Sequence, residues 1–202
     1  MFCYQCEQTA KGTGCTVLGV CCKKPEVAAL QDLLIYTLMG LSQVAVEGRK
    51  VGVTDPETNL FTVKAAFSTL TNVDFDPERF VSLIHEGARR RDELKQAVQD
   101  AGGNVDFSGD AASFIPKDTV DELVEQGAEV GLKSYPADSE DILSLKHTVL
   151  FGITPMRITP KSWARKMTGY MPLSMKGSPP FSATTSAWTI GSASPSNAVK
   201  QP

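Results

Sequence analysis

The sequence predicts a mainly α-helical protein: an N-terminal cluster-binding loop, a helical bundle behind it, and an irregular C-terminal tail. Three observations carry that expectation. Four of the five cysteines fall within the first 21 residues, as Cys3-x2-Cys6-x8-Cys15-x5-Cys21. Apolar residues then recur at helical spacing, without the alternation a half-buried strand needs. From Thr154 onward the chain changes character, with six Lys/Arg, no acid, and seven of the twelve prolines. The expected units are 1–24, 25–153 and 154–202.

Residues 1–24 read as a loop, punctuated by Gly12, Gly14 and Gly19, which supply backbone freedom for wrapping a ligand. A long helix should follow. Pro25 suits its first position and Glu26 the positive end of its dipole. Val27, Leu30, Leu34, Leu38 and Leu41 repeat at helical spacing, Leu33 and Ile35 broaden that face, and Gly48 is the expected stop. A shorter helix is expected from about Leu60 to Leu70, after the turn signal Asp55-Pro56.

A third helix should begin at Asp76-Pro77-Glu78, with Asp76 as N-cap. It carries Phe80, Leu83, Ile84, Leu94 and Val98, and Gly102-Gly103 ends it. Residues 103–117 read as an irregular connection. A fourth helix is expected from Thr119 to Val130. A fifth starts near Ser139, carries Ile142, Leu145, Val149 and Leu150, and should stop before Pro155, because a proline inside a helix removes a backbone hydrogen bond.

Two readings of the tail compete. One is a Ser/Pro-rich disordered extension. The other is a shifted reading frame. The codons of Trp163, Tyr170, Phe181 and Trp188 begin with T. As the middle base of a displaced codon, T specifies an apolar residue. A shifted frame restores amphipathic helices and the missing acids, and it expects the gene to continue in another frame.

The formal charge of −3 gives no basic stripe, which argues against nucleic acid as a partner. No apolar run approaches the ~18 residues of a membrane span, and the N-terminus lacks a signal peptide's basic region. The expected location is cytoplasmic. In that reducing compartment, clustered cysteines bind metal or do redox work more often than they pair as disulfides.

Four thiolates close in sequence suit one soft metal centre. Iron–sulfur clusters use four thiolates, often with a Cys-x2-Cys pair. A four-cysteine zinc site is the alternative, but Cys15-x5-Cys21 is longer than a zinc knuckle, so the spacing favours iron–sulfur. Of the adjacent pair, Cys21 reads as ligand and Cys22 as a spare thiol. His85 and His147 read as partly exposed structural histidines, too far apart in sequence to form a catalytic constellation. Arg89, Arg90 and Arg91 read as a solvated helix face beside Asp92 and Glu93, with an anion or partner patch as the alternative. Phe2 and Tyr4 flank the first thiols and are expected to shield the centre from water. No catalytic residue is singled out.

The opening MFCYQCEQTAKGTGCTVLGVC, followed by KPEVAALQDLLIYTLMGL, resembles the hybrid cluster proteins, also called prismane proteins or hydroxylamine reductases. The resemblance covers residues 1–153, and the cysteine spacing looks like the class with a [4Fe-4S] cubane. It implies Cys3, Cys6, Cys15 and Cys21 as cubane ligands. The family has Gly after the fourth ligand, where this chain has Cys22. The resemblance further implies an oxidoreductase of nitrogen metabolism. Its hybrid iron–sulfur–oxygen cluster, expected only in the full-length protein, reduces hydroxylamine, or nitric oxide, with electrons from an external donor protein, a reductase or a ferredoxin-like carrier.

On this reading the chain is an N-terminal part carrying the electron-transfer cubane without the catalytic cluster, and it is inactive alone. The alternatives are a stand-alone small iron–sulfur electron-transfer protein and a structural zinc-binding interaction domain. An incomplete bundle is also expected to expose an apolar face and to self-associate.

Overall fold

A computed structural model describes residues 2–6, 14–107, 110–130 and 139–167. Five α-helices follow the loop: α1 (Pro25–Lys50), α2 (Pro56–Ser68), α3 (Pro77–Asp100), α4 (Val120–Glu129) and α5 (Glu140–Met167). No strand occurs among the described residues.

Helix α1 is the central element, in contact with α2, α3, α4 and a short 3-10 turn at Asp110–Ala112. The apolar positions expected to face the core, Val27, Leu30, Leu34, Leu38 and Leu41, are all buried, as are Leu33 and Ile35 on the flank. Burial extends so far around α1 because neighbours approach it from several sides. Leu30, Leu34 and Leu41 share one core with Phe80, Ile84 and Leu123. Two of the contacts are backbone-close. A Cβ at Gly127 of α4 would lie 2.2 Å from the Ala29 carbonyl oxygen, and one at Gly40 would lie 2.0 Å from that of Ala111.

Helix α1 is also long and apolar enough to cross a bilayer, with mean hydropathy 1.3 over its most apolar window. This corrects the expectation that no such stretch exists. Its burial in the bundle, 72% of that window, is the behaviour of a core helix.

Proline and acid signals set the helix starts. Asp55 accepts from the backbone N–H groups of Glu57 and Thr58, and Asp76 from that of Glu78, each followed by proline at the first helical position. Thr119 and Glu122 form a reciprocal capping box on α4. The Thr58 hydroxyl, 2.6 Å from Asp55, holds that carboxyl below its ordinary range against the opposing pull of burial.

Two expectations need correction. Helix α5 does not stop before Pro155 but runs to Met167. The packed stripe of His147, Leu150 and Thr154 carries it into the proline turn, and the Thr154 hydroxyl donates to the Leu150 carbonyl at 2.7 Å. The rest of the tail, 168–202, lies outside the described residues.

The arginine run is also not one solvated face. Arg89 and Arg90 pair with Glu86 on the helix surface. Arg91 is buried and donates to the carbonyls of Phe114, at 2.6 Å, and Ala111, at 3.3 Å. It ties the irregular connection to α3. Ile142, Leu145 and Val149 leave an exposed apolar row along α5.

Candidate metal centre

The loop closes on itself through three backbone hydrogen bonds. Phe2 N–H donates to Cys15 O at 3.0 Å, Gly19 N–H to Lys23 O at 2.8 Å, and Cys22 N–H to Gly19 O at 2.8 Å. The first bond brings the Cys3/Cys6 arm beside Cys15. The other two make the tight turn that carries Cys21.

The result is a cavity of about 1170 Å³ between the loop and α5. Cys3, Cys6, Cys15 and Cys21 all line it. Cys22 does not; its side chain is exposed, and its backbone is left-handed at φ 66°. Adjacent residues in a turn point apart, and here only the first of the two thiols faces the cavity. The other non-glycine residue with positive φ among those described is Asn72, at 62°, on the opposite wall in the turn after α2.

Among the described residues, no three Cys, His, Asp or Glu side chains converge closely enough to hold a single metal ion.

The wall facing the cysteines comes from α5. Leu143, His147 and Phe151 lie on one stripe of it, with Ser144, Thr148 and Gly152 alongside. His147 was expected to be a partly exposed structural histidine. It is instead 6% exposed, with its ring stacked on Tyr4 at 5.3 Å and 4° and close to parallel with Phe151 at 6.0 Å. The helical spacing of Leu143, His147 and Phe151 was the available signal, but nothing in the sequence said which stripe of α5 faces the loop. His85 remains half-buried on α3, away from the cavity. Tyr4 lines the cavity, as a shielding group should, and Phe2 contributes its backbone N–H to the loop.

Sequence reasoning missed Lys23, which is 1% exposed. Its ammonium lies 2.6 Å from Gln31 Oε1, 3.0 Å from Gln5 Oε1 and 3.7 Å from Cys3 Sγ. The Phe75 ring lies 5.6 Å away. A lysine beside a ligand loop reads as a solvated charge. Only the fold reveals that Gln5, Gln31 and the α2–α3 turn enclose it.

The model of the Prismane/CO dehydrogenase family matches residues 1–172. A hydroxylamine reductase of Syntrophobacter fumaroxidans is 63% identical over 153 residues, which is 76% of this chain and 28% of that protein. Those of Methanocella arvoryzae and Solidesulfovibrio magneticus are 55% and 49% identical over 155 and 154 residues, again 28% of each relative. The chain thus spans little more than a quarter of the length of these relatives.

Proposed function

The chain belongs to the Prismane/CO dehydrogenase family, and we propose that its loop holds an iron–sulfur cluster, a [4Fe-4S] cubane, through Cys3, Cys6, Cys15 and Cys21. When bound, such a cluster supplies reversible one-electron chemistry with little ligand movement. The observation that carries the reading is that these four thiols, and not Cys22, line one cavity. A single zinc ion, about 2.3 Å from each sulfur, needs all four drawn to one point. The cavity they line, about 1170 Å³, has room for a polynuclear cage.

The residues around the cysteines have distinct tasks. Tyr4, His147 and Phe151 present a stacked aromatic wall to one side of the sulfurs. The Gly19–Lys23 turn holds Cys21 toward the cavity.

In function, the chain corresponds to the electron-accepting portion of a hydroxylamine reductase, working in the cytoplasm with an external donor protein. Reduction of hydroxylamine to ammonia and water takes two electrons, two protons and an open metal position. The four-thiolate site proposed here has no open position, so the isolated chain should not turn over. Residues 154–202 are read as the product of a shifted frame. The abrupt change of charge at Thr154 supports this, and the nucleotide sequence through that point tests it.

Anaerobic reconstitution with ferrous iron and sulfide tests the site. Brown protein with about four irons and four sulfides per chain is expected. Uptake of zinc alone, or of neither iron nor sulfide, overturns the reading. Ammonia formed from hydroxylamine by the pure, reduced chain would overturn the division of roles.

A further inference from the structure

We propose that Lys23 is the fixed countercharge of this centre and raises its reduction potential. The inference rests on the cluster reading above. The three N–H donors of the ammonium are matched by three acceptors: Gln31 Oε1, Gln5 Oε1 and Cys3 Sγ. Both carboxamides are locked with their oxygens toward it, because their nitrogens are used elsewhere. Gln31 Nε2 donates to the Asp74 carbonyl at 3.1 Å, and Gln5 Nε2 donates to the Thr69 carbonyl. The Thr71 hydroxyl donates to Gln5 Oε1 at 3.2 Å and fixes that side chain further. The turn between α2 and α3 thus orients both amides around one cation.

Among the described residues no carboxylate pairs with Lys23. Two neutral amides and a ring face solvate the ammonium without cancelling its charge. A buried cation left in that state is strongly unfavourable. The partner with formal negative charge is the thiolate sulfur of Cys3, once that residue is a ligand. Four thiolates around an iron–sulfide cage carry net negative charge. One electron from an external donor adds one more unit, with no bond made or broken. A cation held beside a ligating sulfur therefore favours the reduced state over the oxidised one. The low local dielectric makes that preference larger than a surface lysine could produce.

The test is an EPR-monitored redox titration of the reconstituted 202-residue chain and of Lys23→Met, which keeps the stem and removes the charge. Iron and sulfide are counted in each. The expected result is full loading, with the reduced-to-oxidised ratio at a fixed potential lowered at least tenfold, a shift of 59 mV for a one-electron couple. Full loading with a ratio within twofold of the parent overturns the inference.

If Lys23→Met takes up no cluster, Lys23→Arg decides. Loading with a ratio within threefold of the parent supports the charge. Failure to load, or a ratio lowered tenfold despite the retained charge, overturns it. If the parent chain takes up no iron and sulfide, the cluster reading itself has failed, and that outcome is distinct from all of these.

Discussion

Replacing Cys22 by glycine separates the two adjacent thiols. The residue sits at φ 66°, and its side chain is exposed outside the cavity that Cys21 lines. A side chain in left-handed backbone costs about 1–2 kcal/mol. Glycine removes that strain but gives back about 0.5–1 kcal/mol in extra freedom of the unfolded chain. The exposed thiol contributes little packing, and the Cys22 N–H bond to Gly19 O remains available to glycine. The net expectation is a gain of about 0.5–1 kcal/mol, read as a higher urea midpoint at unchanged m-value for the reconstituted, cluster-loaded chain under anaerobic reducing conditions.

The same variant should take up as much iron and sulfide as the parent, whereas Cys21→Ser should lose most of both. If Cys22→Gly falls to the iron content of Cys21→Ser, the assignment of the two thiols is reversed. If its urea midpoint drops instead of rising, the left-handed turn is not what strains this loop.

Other substitutions probe the frame. Gly127→Ala would gain about 1 kcal/mol of helix propensity, but its Cβ meets the Ala29 backbone at 2.2 Å. Main-chain atoms of α1 cannot step aside, so a net loss of about 1–2 kcal/mol is expected in urea unfolding. Gly152→Ala in α5 meets nothing within 4 Å and should stabilise by up to about 1 kcal/mol in the same assay.

Asp55→Ala removes the α2 cap and should cost about 1 kcal/mol at pH 7. The folded Asp55 carboxyl is held below its ordinary 3.8, chiefly by the Thr58 hydroxyl. Its contribution is therefore full above that pH and is lost as pH falls through the depressed folded value. The variant should accordingly show a shallower loss of stability below about pH 4 than the parent. Chelation of iron from the reconstituted chain should leave far-UV helical signal nearly intact while making Cys3, Cys6, Cys15 and Cys21 rapidly reactive to a thiol reagent. A collapse of helicity on chelation would contradict this.

Much of the fold could be read from the sequence, because its helix starts are chemically explicit. Pro25, Asp76-Pro77 and Thr119 each open a helix where local chemistry says one should, whereas Asp55-Pro56, read as a turn ahead of a helix at about Leu60, itself caps and opens α2 at Pro56. The leucine stripe of α1 identified its buried side, though not that three other helices would cover so much of it. Where local rules failed, tertiary packing had outweighed them. Pro155 signals a break, yet α5 continues past it because His147, Leu150 and Thr154 anchor the preceding turns. Arg91 sits in a run of charges that looks solvated, yet two carbonyls of a distant connection claim its guanidinium.

The same split holds at the site. That Cys3, Cys6, Cys15 and Cys21 form one group was legible from spacing, and they line one cavity. Lys23 and His147 were not legible, because their significance depends on residues about 50 and 140 positions away in sequence, namely Thr69, Thr71 and Asp74 for the former and Tyr4 for the latter.

The two parts of the chain draw their stability from different sources. The bundle has a shared apolar core, explicit caps and backbone-close contacts at Gly40 and Gly127. None of these involves the loop. Among its described residues the loop shows three backbone hydrogen bonds of its own and few buried apolar side chains. It also encloses an ammonium whose best countercharge is a thiolate. Without a bound centre, the buried Lys23 ammonium faces only two amide oxygens, the Phe75 ring and one sulfur, which is an unfavourable arrangement. Binding energy at the centre is then loop-folding energy, as it is wherever ligands must deprotonate and gather together. The helices can persist without the metal, but the geometry around Lys23 should not. Chelation therefore separates the stability of the bundle from that of the loop.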